Sequence, residues 1–479
     1  MAENKQLQFI KGSVILIVSN LVLKGINFFL LPLYTKYLSP SELGISDTIT
    51  SLTSVIFPLL VMGLDSAFSA FYYDQRNEEY QNKIFNTVTF SLAIASIVPV
   101  IIAFFSKYLS TFLFGSNGYG FLISVALVSV TMNLWYLPFS LLIRMQNRMV
   151  LFSIINIVAS LTMIGLNILL LSVCHVGVYA LIVSTAVVQG IQIILYLCFG
   201  KAKVHYKKFD KSLAKRMFKY ALPLVPAILA TWILNLSDRY LINYFCGESQ
   251  VGLYGIAARF GTAISLFANG VYMAYTTYAY DKKDDNDAKQ QYARILNAFV
   301  VLLLTVCLTV SFFGKEIIAL MTESAYQCAY TMLIPLLFSQ ILYGINTIVG
   351  YALGFEKKST YSFIATTAGA VINVVLNMIF IPQYGAVAAA YTTCFSFACM
   401  TAITYIFAQK LYYVRYRIVR MLLVLVITFF LTIFAQELVL TLRFVIWLGI
   451  LCIIALIYKD VMADYIKLIK KVLFRREFA

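Results

Sequence analysis

Charge is scarce in this chain of 479 residues: only 12% are Asp, Glu, Lys or Arg, where a soluble domain carries about a quarter. With 61% hydrophobic residues such a chain cannot hide its apolar surface in a water-soluble core, so lipid is its solvent. Histidine is nearly missing. His175 and His205 lie far apart in sequence, on opposite expected sides of the membrane, which argues against a metal site. The eight cysteines, Cys174, Cys198, Cys246, Cys307, Cys328, Cys394, Cys399 and Cys452, form no CxxC pair and mostly fall in apolar runs. They read as small core residues. No GxxxxGK[ST] loop is present, so no ATP motor lies in this chain. Long loops are also lacking. No connection is large enough for a separate domain, and no outer loop gathers catalytic acids, so no catalytic residue is assigned. The start, MAENKQLQFIKG, is polar, and the apolar run after it is too long for a signal core and has no small-residue cleavage site.

What is present is a series of apolar runs. A span needs about 20 apolar residues. Fourteen are expected, near 12–35, 42–64, 83–105, 119–141, 151–173, 176–199, 220–243, 251–275, 294–313, 329–352, 359–381, 384–408, 418–437 and 440–458. The formal charge of +16 does not point to nucleic acid, because the basic residues sit between these runs and form no stripe. They fit cytoplasmic anchoring against anionic lipid headgroups. With the N-terminus inside, 30 Lys and Arg fall on the inner side and 5 at the outer ends (Lys36, Lys107, Arg239, Lys315 and Arg443). This asymmetry also supports an even span count, since one missed helix would reverse every later loop.

The chain repeats itself. LSPSELGI at 38–45 answers CGESQVGL at 246–253, placing Gly44 and Gly252 208 residues apart. VGVYALIVSTA at 176–186 answers YGAVAAAYTTC at 384–394 with Gly177 and Gly385 at the same offset, and Asn27 and Asn235 keep it too. LNILLL at 166–171 matches LNMIFI at 376–381 close by. Six helices separate the copies, so both have one orientation, as in transporters built from parallel repeats. The expected organisation is all-α and integral to the membrane. It comprises an N-lobe at 1–200, a basic cytoplasmic linker at 201–219, a C-lobe at 220–409, and a final helix pair with a basic cytoplasmic tail at 410–479.

Ionisable residues inside a membrane are costly and mark function. Lys24 lies about 16 Å from the outer end of the first span, and Arg259 about 12 Å into the eighth, at helical rise. Asp47 lies in the outer third of the second span, and Asp238 and Arg239 near the outer end of the seventh. All five belong to spans 1, 2, 7 and 8, which are equivalent pairs under the repeat, yet the charges are not repeated: the offset takes Lys24 to Trp232 and Arg259 to Ser51. One reading is a hydrated, net positive cavity. Arg suits phosphate there through its planar fork. The other is helix-holding pairs of Arg239 and Arg259 with Asp238 and Asp47, and Arg239 also has the reach to snorkel outward. Asp47 and Asp238 are candidate carboxylates for a coupling proton or sodium ion. The tyrosine-rich VYMAYTTYAYD at 271–281 offers sugar stacking or an interfacial belt. Pro32, Pro58, Pro223 and Pro226 are expected to bend spans 1, 2 and 7.

The stretch YLSPSELGISDTITSLTSVIFPLLVMGLDSAFSAFYYD at 37–74 resembles the N-terminal part of polysaccharide biosynthesis flippases of the Wzx type, within the multidrug/oligosaccharidyl-lipid/polysaccharide (MOP) exporter superfamily. YALPLVPAILATWILNLSDRYLI at 220–242, VGLYGIAARF at 251–260 and IPQYGAVAAAYTT at 381–393 are similar to the same family, in its order. The resemblance implies a bacterial cytoplasmic-membrane protein without a cofactor. It would move an undecaprenyl-pyrophosphate-linked oligosaccharide to the outer leaflet by alternating access. Glycosyltransferases and a polymerase would work in the same pathway. It implies that Lys24, Asp47, Asp238, Arg239 and Arg259 engage pyrophosphate and sugar. Lipid II flippases are relatives with fourteen spans, but their Arg-rich first helix has no counterpart here beyond Lys24. The alternatives are a cation-coupled multidrug exporter of the same fold, a lipid II-type flippase, and a membrane glycan polymerase or acyltransferase.

Overall fold

The structure, a computed structural model, describes residues 28, 30–75, 77–146, 148–200, 204, 209–281, 285, 287–355 and 358–459; within 266–281 only the side chains of Tyr275 and Ala279 are described. Every regular element among them is helical. Among the described residues, eleven helices are long and apolar enough to cross a membrane, from Pro40–Val61 to Leu440–Ile457. Glu248–Asp281, outside that group, stands where the span near 251–275 is expected. One of the eleven, Ser359–Leu411, has 53 residues, far more than the roughly 20 that suffice to cross. Gly385 divides it with φ 68° and ψ −156°, a backbone open to glycine. This one helix therefore holds the two runs expected at 359–381 and 384–408. The first expected span is described only at its end, where Pro32 opens the short helix Leu31–Tyr37.

Polar turns extend several helices beyond their apolar runs. Glu78–Phe104 begins five residues before the expected 83, because the Asn77 side chain accepts from the Tyr80 amide and Glu78 and Glu79 sit at the positive helix end. Pro40–Val61 opens on a reciprocal cap: the Ser39 hydroxyl accepts from the Glu42 amide, and the Glu42 carboxylate accepts from the Ser39 amide at 2.9 Å. Pro58 is carried within this helix, which ends at Met62 and Gly63, both in the left-handed region. Lys211–Ala221 passes into a 3₁₀ turn at Leu222–Leu224 around Pro223, and Pro226 opens Val225–Leu236.

The helices pack as two compact units, the first running to Gly255 with Asn377–Ala386 added, the second comprising Ile256–Leu376 and the chain from Val387 onward. These units follow packing, whereas the lobes at 1–200 and 220–409 follow the repeat. In the first unit Gly120–Met145 is central, against Tyr179–Gly200, Glu78–Ala95, Ile97–Phe104 and Pro40–Val61. Its core contains Phe68, Phe85, Leu134 and Ile143. In the second unit Ala288–Phe312 packs on Tyr330–Val349 and on both helices of the final pair, Ile418–Ala435 and Leu440–Ile457. Arg443, nearly buried, donates to the Phe312 carbonyl at 2.9 Å and forms a two-pronged ion pair with Glu316. Lys315 donates to the Gln436 carbonyl at 2.9 Å and lies over the Tyr330 ring. Trp447 meets Phe313 edge-on, with 5.4 Å between centroids.

Candidate functional site around Asp238

Three helix segments of the first unit meet at Asp238. This residue opens the helix Asp238–Cys246 and is fully buried. The Tyr254 hydroxyl donates to its Oδ2 at 2.5 Å, and the Asn377 amide donates to its Oδ1 at 2.6 Å. Both carboxylate oxygens therefore have donors, as a buried polar group requires. Burying a charge in an apolar span is costly, so the fold surrounds this one with polar partners. An oxygen-rich pocket of this kind is chemically suited to exchanging a proton or holding a small hard cation.

The same unit holds a neutral counterpart. Asn167 donates to the Tyr34 hydroxyl at 2.9 Å, and the Ser184 hydroxyl donates to Asn167 Oδ1 at 2.5 Å. Asn167 and Ser184 are fully buried. Asn167 and Asn377 are the asparagines of the matching segments LNILLL and LNMIFI. Each gives its amide to a side chain from the opening span of its own copy, Tyr34 in one and Asp238 in the other. The duplicated framework is thus retained, with a carboxylate at Asp238 where the other copy presents the Tyr34 hydroxyl. Sequence reasoning missed Tyr254, Asn377 and the whole neutral counterpart, although the repeated Leu-Asn pair was visible.

The other expected site residues are placed as follows. Asp47 is half-buried on Pro40–Val61. Arg239 follows Asp238 directly and is half-buried; about 100° of helical turn separates the two side chains. Arg259 belongs to the second unit, eleven residues past Glu248 on Glu248–Asp281, and is also half-buried. Lys24 lies outside the described residues, as does Asn27. In the second unit Asn373 donates to Thr393 Oγ1 at 3.1 Å, both buried. Tyr275 is taken up by an aromatic core: it meets Tyr351 and Tyr292 edge-on at 5.0 and 5.9 Å, and the Tyr292 hydroxyl donates to the Ala279 carbonyl. It is 3% exposed, so it has no face left for a sugar.

Residues 9–277 match the family described as polysaccharide biosynthesis protein, and residues 223–379 match the MatE family. The chain is 25% identical over 399 residues to the probable low-salt glycan biosynthesis flippase Agl15 of Haloferax volcanii, covering 82% of each chain. In fold it is similar to the lipid II flippase MurJ in an inward closed conformation, with a TM-score of 0.73 at 17% identity, covering 95% of this chain and 100% of the other. It is also similar to an inward-facing multidrug resistance MATE family transporter of the MOP superfamily, with a TM-score of 0.68 at 13% identity, covering 81% and 94%. A multi-pass all-helical architecture, the duplicated polar framework and the match over 9–277 lead to one assignment: the chain belongs to the polysaccharide biosynthesis protein family, and its fold is that of the two solved transporters.

Proposed function

We propose that this protein is a flippase that moves a lipid-linked oligosaccharide, carried on undecaprenyl pyrophosphate, from the cytoplasmic to the outer leaflet of a bacterial cytoplasmic membrane. The observation that carries the reading is the buried Asp238 between Tyr254 and Asn377, set in a framework whose other copy offers its asparagine the Tyr34 hydroxyl instead of a carboxylate. A structural polar contact would be met as well by the neutral arrangement that the chain already uses at Asn167. Retaining a carboxylate in one copy points to a group that changes charge or binds an ion during the cycle. Lobes at 1–200 and 220–409 rock about the site, and coupling runs through Asp238 to a proton or sodium ion. Lys24, Arg239 and Arg259 supply cations to the pyrophosphate, with Asp47 among the sugar contacts. Membership of the polysaccharide family supports the substrate class. Removing the gene is expected to abolish a surface polysaccharide and to accumulate its lipid-linked unit on the inner leaflet. Normal surface glycan in a clean deletion, with no second flippase present, would overturn the proposal.

The MatE match over 223–379 favours a second reading, a cation-coupled exporter of organic cations. Such cargo wants an acidic cavity, and the candidate residues here are three cations against two carboxylates. Changed drug susceptibility with normal glycan in the same deletion would select it.

A further inference from the structure

The helix Lys211–Ala221 carries a cationic face that enters no salt bridge among the described residues. Lys211, Lys215, Arg216 and Lys219 are all exposed. Elsewhere on the expected inner side several basic side chains have partners within the chain. Lys83 pairs with Glu79, Arg148 donates to the carbonyls of Phe199 and Gly200, and Arg420 lies over Tyr458.

The opposite face of this helix is already occupied. Leu213, Ala214, Met217 and Ala221 are buried, packed against Leu64–Phe71 and Glu78–Ala95. Its start is fixed twice, because Asp210 accepts from the Leu213 amide and its own amide donates to the Thr87 hydroxyl. The helix is therefore held with its basic side outward. Its depth follows from continuity. It runs into the membrane span that ends at Leu236, and Tyr220, Leu222 and Leu224, just beyond the cations, are exposed apolar groups suited to acyl chains. Lys211 to Lys219 covers about 12 Å at helical rise, comparable to a headgroup layer. The Lys and Arg distribution puts this end at the cytoplasmic face.

We propose that the Lys211–Ala221 face is a docking surface for anionic phospholipid headgroups of the cytoplasmic leaflet. It holds the chain between spans 6 and 7 at the headgroup plane. The occupant follows from charge complementarity at a fixed depth: four exposed cations, no salt bridge to them among the described residues, and phosphate esters as the anions available there.

The test uses the full chain in nanodiscs of equal phosphatidylglycerol and phosphatidylcholine, followed by extraction and mass spectrometry of the retained lipid. One cation near an anionic surface is worth a factor of about five in lipid preference. At least that enrichment in phosphatidylglycerol is expected in the wild type, falling toward the bulk ratio in 1 M salt, where screening acts within about 3 Å. The joint variant Lys211→Gln, Lys215→Gln, Arg216→Gln, Lys219→Gln is expected to lose the enrichment. A variant exchanging Lys for Arg and Arg for Lys at the four positions should keep it. If the four-Gln chain does not fold, the pair Lys211→Gln and Lys215→Gln should still lower the ratio severalfold. Equal lipid ratios in the wild type, or enrichment unchanged in the Gln variants, would overturn the proposal. So would displacement of the phosphatidylglycerol by equimolar polyprenyl pyrophosphate, which would give the face to the transported lipid. The assay reads bound lipid and not transport, so its outcome is independent of whether the flippase reading holds.

Discussion

Gly44 and Gly252 meet face to face in the first unit: a Cβ on Gly44 would lie 1.8 Å from the Glu248 carbonyl oxygen, and one on Gly252 would lie 2.0 Å from that of Pro40. Pro40 and Glu248 are themselves 208 residues apart, as the two glycines are. The contact is therefore reciprocal under the repeat, each glycine facing the backbone of the other's counterpart. Neither glycine has a positive φ, so it is the close approach of two backbones that demands them, as at small-residue crossings between membrane helices.

A methyl group at either position must push the two helices apart, since a carbon–oxygen contact settles near 3.3–3.6 Å. Gly44→Ala and Gly252→Ala are each expected to destabilise the protein by about 1–3 kcal/mol. The double variant should cost less than the sum, because one displacement relieves both clashes. Thermal unfolding of the detergent-purified variants, followed by intrinsic fluorescence, reads this directly. Additive losses would mean that each site yields on its own.

Asp238→Asn keeps the size of the side chain and a hydrogen-bonding oxygen for Tyr254 or Asn377, and removes the charge. Membrane abundance is expected to stay near wild type while surface glycan is lost. Asn377→Ala withdraws one donor from the carboxylate and should lower both, since an imperfectly paired buried charge is costly. The changes Asn167→Ala and Ser184→Ala affect the neutral counterpart, and should lower abundance in proportion to export. Quantitative blotting of membranes beside surface glycan staining separates the two patterns. Full export by Asp238→Asn would make the carboxylate dispensable.

Arg259 lies deep on its helix, where a lone guanidinium is expensive. If it binds pyrophosphate, Arg259→Lys keeps partial function, because Lys meets phosphate as a point charge. Arg259→Ala then loses export at normal abundance. If instead it only neutralises a carboxylate, Arg259→Ala lowers abundance, and a second Asp47→Asn or Asp238→Asn change restores both level and export. Paired measurements of protein level and surface glycan decide between the two. Normal level with normal glycan in Arg259→Ala would take the residue out of the site.

Arg443 and Glu316 form an ion pair within the second unit, with Arg443 buried and Glu316 partly open. Arg443→Met is expected to destabilise by about 1.5–3 kcal/mol, the range for hydrogen bonds to charged groups. Converting Glu316→Gln in the same chain should recover part of that loss, because the orphaned carboxylate is then neutral. A double-mutant cycle on thermal unfolding gives the coupling, and none at all would make the pair incidental.

Helix existence was largely legible from sequence, because lipid demands long apolar runs and polar linkers interrupt them. Pro40–Val61, Ile418–Ala435 and Leu440–Ile457 fall within a few residues of the expected limits. Boundaries slipped where caps and amphipathic turns extend a helix into water, as at Asn77 and along Lys211–Ala221. Asp238 was legible because a carboxylate in an apolar run is conspicuous. Its partners were not. Tyrosine and asparagine are ordinary in membrane helices, and which of them meet is decided by packing between segments 139 residues apart. The reciprocal placement of Gly44 and Gly252 was encoded in the constant offset, but only the contact explains why both are glycine.

The latch between the final helix pair and Ala288–Phe312 bears on how short such a protein can be. A chain cut before Ile418 would keep Glu316 without its guanidinium, Lys315 without the Gln436 carbonyl, and the Phe313 ring stripped of Trp447. Glu316 would lose its charge partner, and Lys315 would keep only the Tyr330 ring. The last two helices are therefore built into the packing of the second unit, and a shortened chain would need other side chains at 315 and 316 to close the same surface.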